Sequence, residues 1–546
     1  MRNLLFLTTV LLIVATAAAQ TKTGSLIKSF DSLLTKEFKT EEPGAAAIVV
    51  KKGEVVYKKG FGMADMELNV PAQPDMVFRI GSITKQFTAV CILKLASEGK
   101  LSLQDDIKKY IPDYGIQEPI TIEHLLTHTS GIKSYTNIDT FWNQMRKDMT
   151  PREIIRLTEK DSLEFKPGTK YNYNNTAYVM LGYIIEKISG KTYEDYLQQN
   201  LFTPLGMSNS YFGSDSRIIK NRAKGYKKTE KDFFNSDYIS MTLPHAAGSI
   251  ISTVEDLWKW NKALYSYKVI SKEWVDPLIT PYKLANGKST NYGYGLAIST
   301  IQGSPVYSHG GGIPGFLTYG IYMPKEDVFV AVFSNCDCKS PDAAATKMAA
   351  IAIGKPYNFT ALPLKETEAK PYEGVYAFEN EERIIQWKDG KLTSKRGGGN
   401  VFELKMYEKD KFFFEGSFSF IEFVKGSSGS FDELIYKNNE ESSVWKKTSK
   451  PLPQPLAVIK VDPALLADYT GAYQLAPNFI LTITQEGDTL FGQATGQGKI
   501  GMEAISPVRF KAKGVDAQVE FKKDASGKTV ALVLYQNGRE IEGKKQ

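Results

Sequence analysis

The sequence contains few residues of the kinds that bind metals or cross-link chains. Among its 546 residues are 4 histidines and 3 cysteines. Cys91 lies in an apolar helical pattern and is expected to be a buried thiol, whereas Cys336 and Cys338 are separated by one residue, which would strain a disulfide between them. A metal site needs more ligands, and the histidines do not cluster around these cysteines, so we expect no metal centre.

The sequence also has no large excess of positive or negative charge. The formal net charge is +7, with 24% charged and 42% hydrophobic residues, which is the balance of a soluble globular protein. No block of lysine or arginine stands out, so a nucleic-acid-binding function is not favoured. The length corresponds to about three domains of ordinary size.

The sequence also lacks a hydrophobic run of the roughly 20 residues that span a bilayer. The apolar stretch Leu4–Val14 is shorter, follows Arg2 and precedes Ala17-Ala18-Ala19, an A-x-A cleavage site. This pattern predicts a signal peptide over residues 1–19 and an exported protein, periplasmic or secreted, with no membrane span after cleavage. The alternative is an uncleaved membrane anchor. A lipid-modified anchor is not expected, because no cysteine follows the run.

Hydrophobic periodicity predicts an α/β domain over residues 20–355. Strands are expected at both ends of this region with helices between them, which leaves a cleft between a sheet layer and an inserted helical domain. The expected strands are Ala45–Val50, Glu54–Gly60, Tyr294–Thr300, Pro305–Ser308, Phe316–Met323 and Val328–Phe333. The expected helices are Ile27–Phe38, Thr84–Ser97, Asn175–Ser189, Thr253–Tyr265 and Pro341–Ile353.

The composition changes after Gly354, where short strand and turn patterns replace helices. Prolines 356 and 363 mark a linker over residues 356–366, and a proline-rich spacer lies within a second linker, 450–460. We therefore expect two β-modules, over residues 367–449 and 461–546.

These two modules carry an internal repeat. Three segments match between the copies, the last with a one-residue shift: Tyr372–Tyr376 with Tyr469–Tyr473, Ile421–Phe423 with Val519–Phe521, and Leu434–Tyr436 with Val533–Tyr535. Two copies are too few for a solenoid. We expect two related, small antiparallel β-domains, each a lipocalin-like barrel or half-barrel.

Ser82-Ile83-Thr84-Lys85 is an S-x-x-K motif, a pattern that also occurs at Ser25, Ser97, Ser130 and Ser443. Only Ser82 precedes a helix that is apolar on most sides and is therefore expected to be buried. Residues three apart share a helix face, so Lys85 would reach the Ser82 hydroxyl. Burial and the helix N-terminus would lower the pKa of Lys85 and favour a neutral amine base. The alternative is an N-capping serine with a solvated lysine.

Tyr173-Asn174-Asn175 follows a turn and immediately precedes a predicted helix. A tyrosine held near a lysine can relay protons. Asn175 can donate to a substrate carbonyl and bridge to Lys85. The alternative is a surface loop in which Asn175 caps the helix.

His309-Gly310-Gly311-Gly312 follows the strand Pro305–Ser308. The glycines would let a substrate lie against the backbone as an added strand. A backbone N–H in this segment would complete an oxyanion hole with the N–H of Ser82. The alternative is a glycine-rich β-turn.

In this order the three motifs resemble the serine β-lactamase and penicillin-binding-protein superfamily. The nearest branch is the class C β-lactamase group, which also holds DD-carboxypeptidases, D-aminopeptidases and esterases. The segments Val77–Gly81, Ile120–Gly131 and Gly310–Phe316 resemble the same branch, and the likeness covers about residues 25–355. It implies a β-lactamase-like antiparallel sheet flanked by helices, an inserted helical domain, and a serine hydrolase that forms an acyl-enzyme.

The resemblance also implies roles for individual positions. Ser82 would be the nucleophile, Lys85 its general base or the residue that tunes that base, and Tyr173 the residue that passes the proton to the leaving group and later activates water. The substrate-binding positions would be Asn175, His309, Gly311 and Gly312, of which Gly312 would supply the second oxyanion N–H. The substrate would be a small molecule or a peptide, with no cofactor. The stretch containing His128 and Thr129 would be structural.

One position departs from the family pattern. Many members carry lysine where this chain has His309, a residue that is mostly neutral near pH 7. This disfavours a β-lactam or a peptide C-terminus as the preferred substrate and leaves esters, amides and D-amino-acid peptides open. We expect a peptidase or esterase with weak β-lactam turnover.

Two other functions remain open for this chain. One is a penicillin-binding or sensor module that acylates without turnover, and the other is a dedicated class C-like β-lactamase. The β-modules would shape the cleft mouth, bind an extended substrate or mediate association. The sequence leaves the oligomeric state open.

Overall fold

A computed structural model describes residues 24–546 except 231, 440, 454–456, 478, 516, 537 and 538. The chain divides into two units, Met1–Tyr357 and Asn358–Gln546. The predicted signal segment lies outside the described residues. Within the described ranges, no helix combines the length and hydrophobicity that crossing a membrane requires.

The strands of the first unit are β1 (Ala45–Lys51), β2 (Glu54–Phe61), β3 (Met63–Asp65), β4 (Val70–Pro71), β5 (Phe78–Arg79), β6 (Tyr211–Phe212), β7 (Tyr226–Lys228), β8 (Phe233–Asn235), β9 (Ile250–Ser252), β10 (Ala297–Ile301), β11 (Ser304–Ile313), β12 (Phe316–Met323) and β13 (Val328–Ser334). Six of them form the central antiparallel sheet in the order β10-β11-β12-β13-β1-β2. β1 pairs with β13, with Ala45 opposite Ser334. The expected sheet, started near the N-terminus and completed near residue 335, is confirmed.

The helices of this unit are α1 (24–37), α2 (Thr84–Ser97), α3 (Ile122–Leu126), α4 (Asp139–Trp142), α5 (Pro151–Arg156), α6 (Asn175–Ser189), α7 (Tyr193–Leu197), α8 (Val254–Tyr265), α9 (Lys272–Leu278) and α10 (Asp342–Ala352). A short 3-10 turn, Gly81–Ile83, leads into α2. All residues of α2 except Lys94 and Ser97 are buried, so α2 is the central helix that its apolar sequence predicts.

The central strands are buried on both faces. In β1, Ala46 and Ile48 belong to the core that contains α2 and α6, whereas Ala45 and Ala47 belong to the core that contains α1 and α10. This alternation follows from the two-residue period of a strand. The sheet therefore lies between two helical layers, as expected for a β-lactamase-like fold.

Two local features differ from expectation. β10 begins at Ala297 and not at Tyr294, because Gly295 adopts a positive φ of 74° and packs against the Lys85 backbone. Cys336 and Cys338 form a disulfide, although their spacing indicated strain. The turn after β13 brings their Cα atoms to 5.1 Å, which is within the range that a disulfide bridges. Cys91 is the buried free thiol that the sequence predicts.

The second unit contains two antiparallel β-modules. The first has α11 (Glu366–Ala369), β14 (Gly374–Phe378), β15 (Glu381–Lys388), β16 (Lys391–Arg396), β17 (Val401–Glu403), β18 (Lys405–Glu408), β19 (Lys411–Phe413), β20 (Phe420–Lys425), β21 (Phe431–Lys437) and β22 (Ser442–Lys447). The second has α12 (Pro463–Tyr469), β23 (Gly471–Ala476), β24 (Phe479–Glu486), β25 (Thr489–Ala494), β26 (Ile500–Ala504), β27 (Arg509–Ala512), β28 (Ala517–Lys523), β29 (Thr529–Gln536) and β30 (Arg539–Lys545).

Both modules have barrel topology. The strands of the second close into a barrel. Those of the first form a sheet whose two edges are β17 and β18, which are consecutive in the chain and separated only by Leu404. The expectation of two small antiparallel β-domains is confirmed.

The repeat is visible in the hydrogen bonds. The Tyr376 hydroxyl donates to the carbonyl of Tyr372 at 2.8 Å, and the Tyr473 hydroxyl donates to the carbonyl of Tyr469 at 2.7 Å. Tyr376 and Tyr473 also pair with Lys447 and Lys545 in the last strand of their modules.

The strand register corrects one part of the sequence alignment. Leu434 pairs with Trp445, and Leu532 pairs with Gly543 at the equivalent place. Leu434–Tyr436 therefore corresponds to Leu532–Leu534 without the one-residue shift that sequence similarity suggested. Sequence similarity gave an alignment that is wrong by one residue, because several apolar residues follow each other in β29.

Candidate active site

Lys85 lies at the centre of the site. Its Nζ is 3.1 Å from Ser82 Oγ, 2.8 Å from Asn175 Oδ1 and 2.9 Å from the carbonyl oxygen of Ala247. The side chain is fully buried, and this desolvation lowers the pKa of Lys85 well below its usual range. A neutral amine donates its two N–H groups to Asn175 and Ala247, which are acceptors, and its lone pair then accepts the Ser82 O–H.

Ser82 lies in the 3-10 turn ahead of α2 and does not cap the helix. The residue at the N-cap is Ile83, and no side chain caps this end. The Ser82 side chain is partly exposed, whereas Lys85 beneath it is buried. The alternative of a capping serine with a solvated lysine is therefore wrong.

Asn174 and Asn175 have different roles, since one caps α6 and the other contacts Lys85. The side chain of Asn174 caps α6 by accepting from the N–H of Ala177 at 2.9 Å. Asn175 is the first residue of α6, and its Oδ1 is free to accept from Lys85 while its Nδ2 donates to Thr136 Oγ1 at 3.2 Å. The alternative in which Asn175 caps the helix is wrong, because Asn174 occupies that position.

The ring of Tyr173 packs over the amine of Lys85. The Lys85 Nζ lies 4.7 Å from the centroid of the Tyr173 ring. Burial raises the pKa of Tyr173, and a hydrogen bond with the Ser82 side chain opposes this rise. The phenol is therefore protonated near neutral pH and in contact with the hydroxyl of Ser82.

His309, Gly310, Gly311 and Gly312 belong to a strand and not to a turn. β11 continues through them to Ile313, and each residue from His309 to Ile313 pairs with β12. β10 pairs only with Ser304–Ser308. On the other edge of His309–Ile313, no strand of the described chain is paired, so an extended substrate could add there without displacing a strand.

Gly311 on β11 and Gly81 before α2 each make a close backbone contact that a larger residue would disturb. A Cβ on Gly311 would lie 2.0 Å from the carbonyl oxygen of Ile80, so only glycine fits. A Cβ on Gly81, which adopts a φ of 50°, would lie 2.9 Å from the N of Gly312. The backbone before Ser82 therefore packs directly on the backbone of Gly312.

His309 is buried and neutral. Desolvation and the nearby Lys85 lower the pKa of His309 to about 3. Its Nδ1 lies 2.6 Å from the carbonyl oxygen of Gly310, which accepts only, so Nδ1 carries the proton. Its Nε2 is then an acceptor for the hydroxyl of Tyr292 at 3.0 Å.

His128 continues this chain of hydrogen bonds. Its Nδ1 accepts from the N–H of Asn174 at 3.0 Å, so its proton is on Nε2, which donates to the Tyr292 hydroxyl at 3.3 Å. Burial lowers the pKa of His128 well below its usual range. The His128 ring also packs against Tyr173, with centroids 4.3 Å apart. These hydrogen-bond partners fix one tautomer for each of the two histidines. His128 supports the site through its contacts with Tyr173 and Tyr292.

The structure therefore brings Ser82, Lys85, Tyr173, Asn175 and the His309–Gly312 strand together. Sequence reasoning missed Ala247, which contributes only a backbone carbonyl, and Tyr292, which lies in no motif. Two other histidines have structural partners: His124 completes the cap of α3, and His245 lies 3.5 Å from Glu186. Among the described residues, no group of three or more His, Cys, Asp or Glu side chains is placed to hold a metal ion.

Comparison with known families identifies the first unit. The family model described as "Beta-lactamase" matches residues 30–355. This chain belongs to the beta-lactamase family. A second family model, described as "Domain of unknown function (DUF3471)", matches residues 457–545, which contain the second β-module of this beta-lactamase family member.

Curated relatives of this beta-lactamase family member include hydrolases and penicillin-binding proteins. Penicillin-binding protein 4* of Bacillus subtilis (strain 168) is 27% identical, covering 73% of this chain and 94% of the relative. A D-aminopeptidase of Gluconobacter oxydans (strain 621H) is 27% identical, covering 58% of this chain and 60% of the relative. The chain is accordingly a serine hydrolase of this family.

Solved structures agree with the family. The octameric penicillin-binding protein homologue from Pyrococcus abyssi is 30% identical with a TM-score of 0.55, covering 78% of this chain and 99% of that one. A D-stereospecific amidohydrolase from Streptomyces sp. is 25% identical with a TM-score of 0.52, covering 59% of this chain and 97% of that one. The expected resemblance is confirmed.

Proposed function

We propose that this beta-lactamase family member is an exported hydrolase that forms an acyl-enzyme at Ser82 and cleaves amides or esters, with D-amino-acid amides and peptides as the leading class. The observation that carries the proposal is the buried Lys85 Nζ, 3.1 Å from Ser82 Oγ, with its two other contacts both acceptors. In this arrangement the amine lone pair points to the only hydroxyl among its three partners.

Acylation follows from these contacts. Neutral Lys85 takes the Ser82 proton as Oγ bonds to the substrate carbonyl carbon, and the oxyanion is held by the N–H groups of Ser82 and Gly312. The proton then passes through Tyr173 to the leaving nitrogen or oxygen while its bond to the acyl carbon breaks. In deacylation, the water oxygen bonds to the acyl carbon while one water proton passes through the Tyr173 hydroxyl to the neutral amine of Lys85. The bond between the acyl carbon and Ser82 Oγ then breaks, Oγ takes that proton back from Lys85, and the carboxylic acid departs.

The neutral His309 favours substrates without a carboxylate at this position. With a pKa of about 3, its imidazole offers no positive charge near neutral pH, and both of its ring nitrogens already have partners. The unpaired edge of His309–Ile313 suits an extended backbone. Similarity to a D-aminopeptidase and to a D-stereospecific amidohydrolase supports D-configured substrates.

Export rests on the sequence of residues 1–19. The A-x-A site before Gln20 predicts a mature chain that starts there. Edman sequencing of the protein from a secreting host tests this proposal. A chain that still begins at Met1 in the membrane fraction contradicts it and supports the uncleaved anchor.

The catalytic proposal is tested by intact-mass spectrometry after treatment with a fluorophosphonate. We expect one adduct on the wild type, none on Ser82→Ala, and one on Ser97→Ala, which removes an exposed serine of the same S-x-x-K pattern on the same helix. Unlabelled, folded wild type would contradict an activated Ser82.

Turnover assays then separate the alternatives. Alanine p-nitroanilides of D and L configuration, a p-nitrophenyl ester and a chromogenic cephalosporin are each compared between wild type and Ser82→Ala. Preferred hydrolysis of the D-anilide supports the proposal. A stable acyl adduct without product from any of them indicates a binding or sensor module, and preferred cephalosporin turnover indicates a dedicated β-lactamase.

A further inference from the structure

The first β-module contains a buried arginine that has no carboxylate partner among the described residues. Arg383, on β15, is 5% exposed, and no carboxylate of the described residues forms an ion pair with it. Its Nη1 donates to Ser394 Oγ at 2.9 Å, while its buried Nε has no hydrogen-bond partner in the part of the chain that the structure describes. Buried charged groups are ordinarily paired, because an unpaired one loses its hydration without compensation.

Aromatic rings enclose the guanidinium of Arg383. Its Cζ lies 4.6 Å from the ring centroid of Tyr436 and 4.9 Å from that of Trp445. Burial lowers the pKa of Arg383 to about 10. Contacts between the guanidinium and the ring faces offset part of the free energy lost on dehydration, but they provide no hydrogen-bond acceptor for its N–H groups. Within the described residues, hydrogen bonds are made by Nη1 and not by Nε or Nη2, the two nitrogens that form the side-on edge of the guanidinium.

The second β-module shows that this barrel does not require the charge. Tyr376 pairs with Arg383, and the equivalent Tyr473 pairs with Leu481. The same strand registers align the rest of the cluster with small or apolar residues: Ser394 with Gly492, Tyr436 with Leu534, and Trp445 with Gly543. One barrel thus carries Arg383, a hydroxyl and two aromatic rings where its copy has two leucines and two glycines.

We propose that the cluster of Arg383, Ser394, Tyr436 and Trp445 in the first β-module binds a carboxylate group, whose two oxygens accept from Nε and Nη2 of Arg383 between the two aromatic rings. A carboxylate matches the two parallel N–H groups of this edge, and such bidentate pairs are the strong hydrogen bonds of proteins. The aromatic walls suit a flat or apolar body attached to the carboxylate. The site uses none of the residues assigned to catalysis.

Calorimetric titration of the full-length protein tests the site, with sodium benzoate as the carboxylate and benzamide as its neutral counterpart at equal ionic strength. We expect benzoate to bind and benzamide to bind much more weakly. Arg383→Leu, which installs the residue of the second module, is expected to weaken benzoate binding about tenfold or more while the barrel stays folded.

Two variants keep the result interpretable. Arg383→Lys retains a charge but loses the side-on edge, so it is also expected to bind benzoate more weakly and serves if the leucine variant does not fold. Ser82→Ala is expected to bind benzoate like the wild type, which separates this site from the hydrolase site. Equal binding by wild type and the folded Arg383 variants, or no binding by wild type, overturns the proposal.

Discussion

The hydroxyl of Tyr292 lies 3.0 Å from Nε2 of His309 and 3.3 Å from Nε2 of His128, so one phenol joins two buried histidines. Replacing Tyr292 with phenylalanine removes the donor to His309 and leaves a buried ring nitrogen unpaired. We expect kcat/KM to fall roughly tenfold, as for the loss of one buried hydrogen bond. Nitrogen-15 NMR of the His309 ring should show a shifted Nε2 resonance, while Nδ1 keeps the proton that it donates to Gly310. An unchanged Nε2 resonance together with unchanged kcat/KM would contradict a positioning role for Tyr292.

The contact between Lys85 and Asn175 offers a position from which the protonation of the base can be changed. In Asn175→Asp a carboxylate would lie 2.8 Å from Lys85 Nζ, if the Oδ1 position is kept, and would raise the pKa of Lys85. We expect the acid limb of the kcat/KM profile to move to higher pH and activity at pH 7 to fall. Asn175→Ala, which removes the contact without adding charge, is the control and should shift the limb less. Equal limbs in the two variants would count against Lys85 as the titrating base.

His309 should not titrate during catalysis near neutral pH. Because its pKa is about 3, it stays neutral from pH 5 to 8, and His309→Gln should keep the acid limb of the wild type in that range. A limb that disappears in His309→Gln would assign it to the histidine.

The same residue should affect stability in acid. The folded pKa of about 3 lies below the unfolded value of 6.5, so the unfolded chain binds the proton first as pH falls. The contribution of His309 is present above pH 6.5 and is lost progressively between pH 6.5 and 3. Urea unfolding at pH 7 and pH 4 should therefore show a smaller stability loss in acid for His309→Gln than for the wild type.

Gly81 sets the spacing between the serine turn and β11. In Gly81→Ala the new Cβ would lie 2.9 Å from the N of Gly312, in addition to the left-handed backbone cost of about 1–2 kcal/mol. Gly99→Ala is a matched control, since Gly99 also has a positive φ of 70° but has nothing within 4 Å of the new Cβ. We expect both variants to lose stability and only Gly81→Ala to lose fluorophosphonate labelling rate. Equal labelling in both would show that this spacing does not matter.

The sequence predicts the parts of the fold that depend on repeating side-chain patterns. The helix Thr84–Ser97 has the predicted bounds, because its sequence contains no glycine or proline that would interrupt it. The sequence pattern predicts a strand over Pro305–Ser308, which stops short of the glycines. Pairing with β12 carries it to Ile313, and such tertiary contacts are not encoded in the segment itself.

The candidate site is predictable to the extent that its groups are side chains in motifs. Ser82, Lys85 and Asn175 meet as their spacing indicates, and their catalytic roles stay predictions. The carbonyl of Ala247 is invisible to sequence patterns, since every residue has one. Tyr292 is one of 29 tyrosines, and nothing in its neighbours marks it as the link between two histidines.

The pairing of β1 with β13 affects how this protein can fold during synthesis. Ala45 finds Ser334 as its partner, so the ribosome must deliver almost the whole first unit before the middle of the sheet can form. Until then β1 has only β2 as a strand neighbour, and the edge of β1 that pairs with β13 stays unpaired. Such long-range pairing is slow and exposes the nascent chain to aggregation. The first unit is therefore expected to depend on chaperones that hold unfolded chains until synthesis has passed β13.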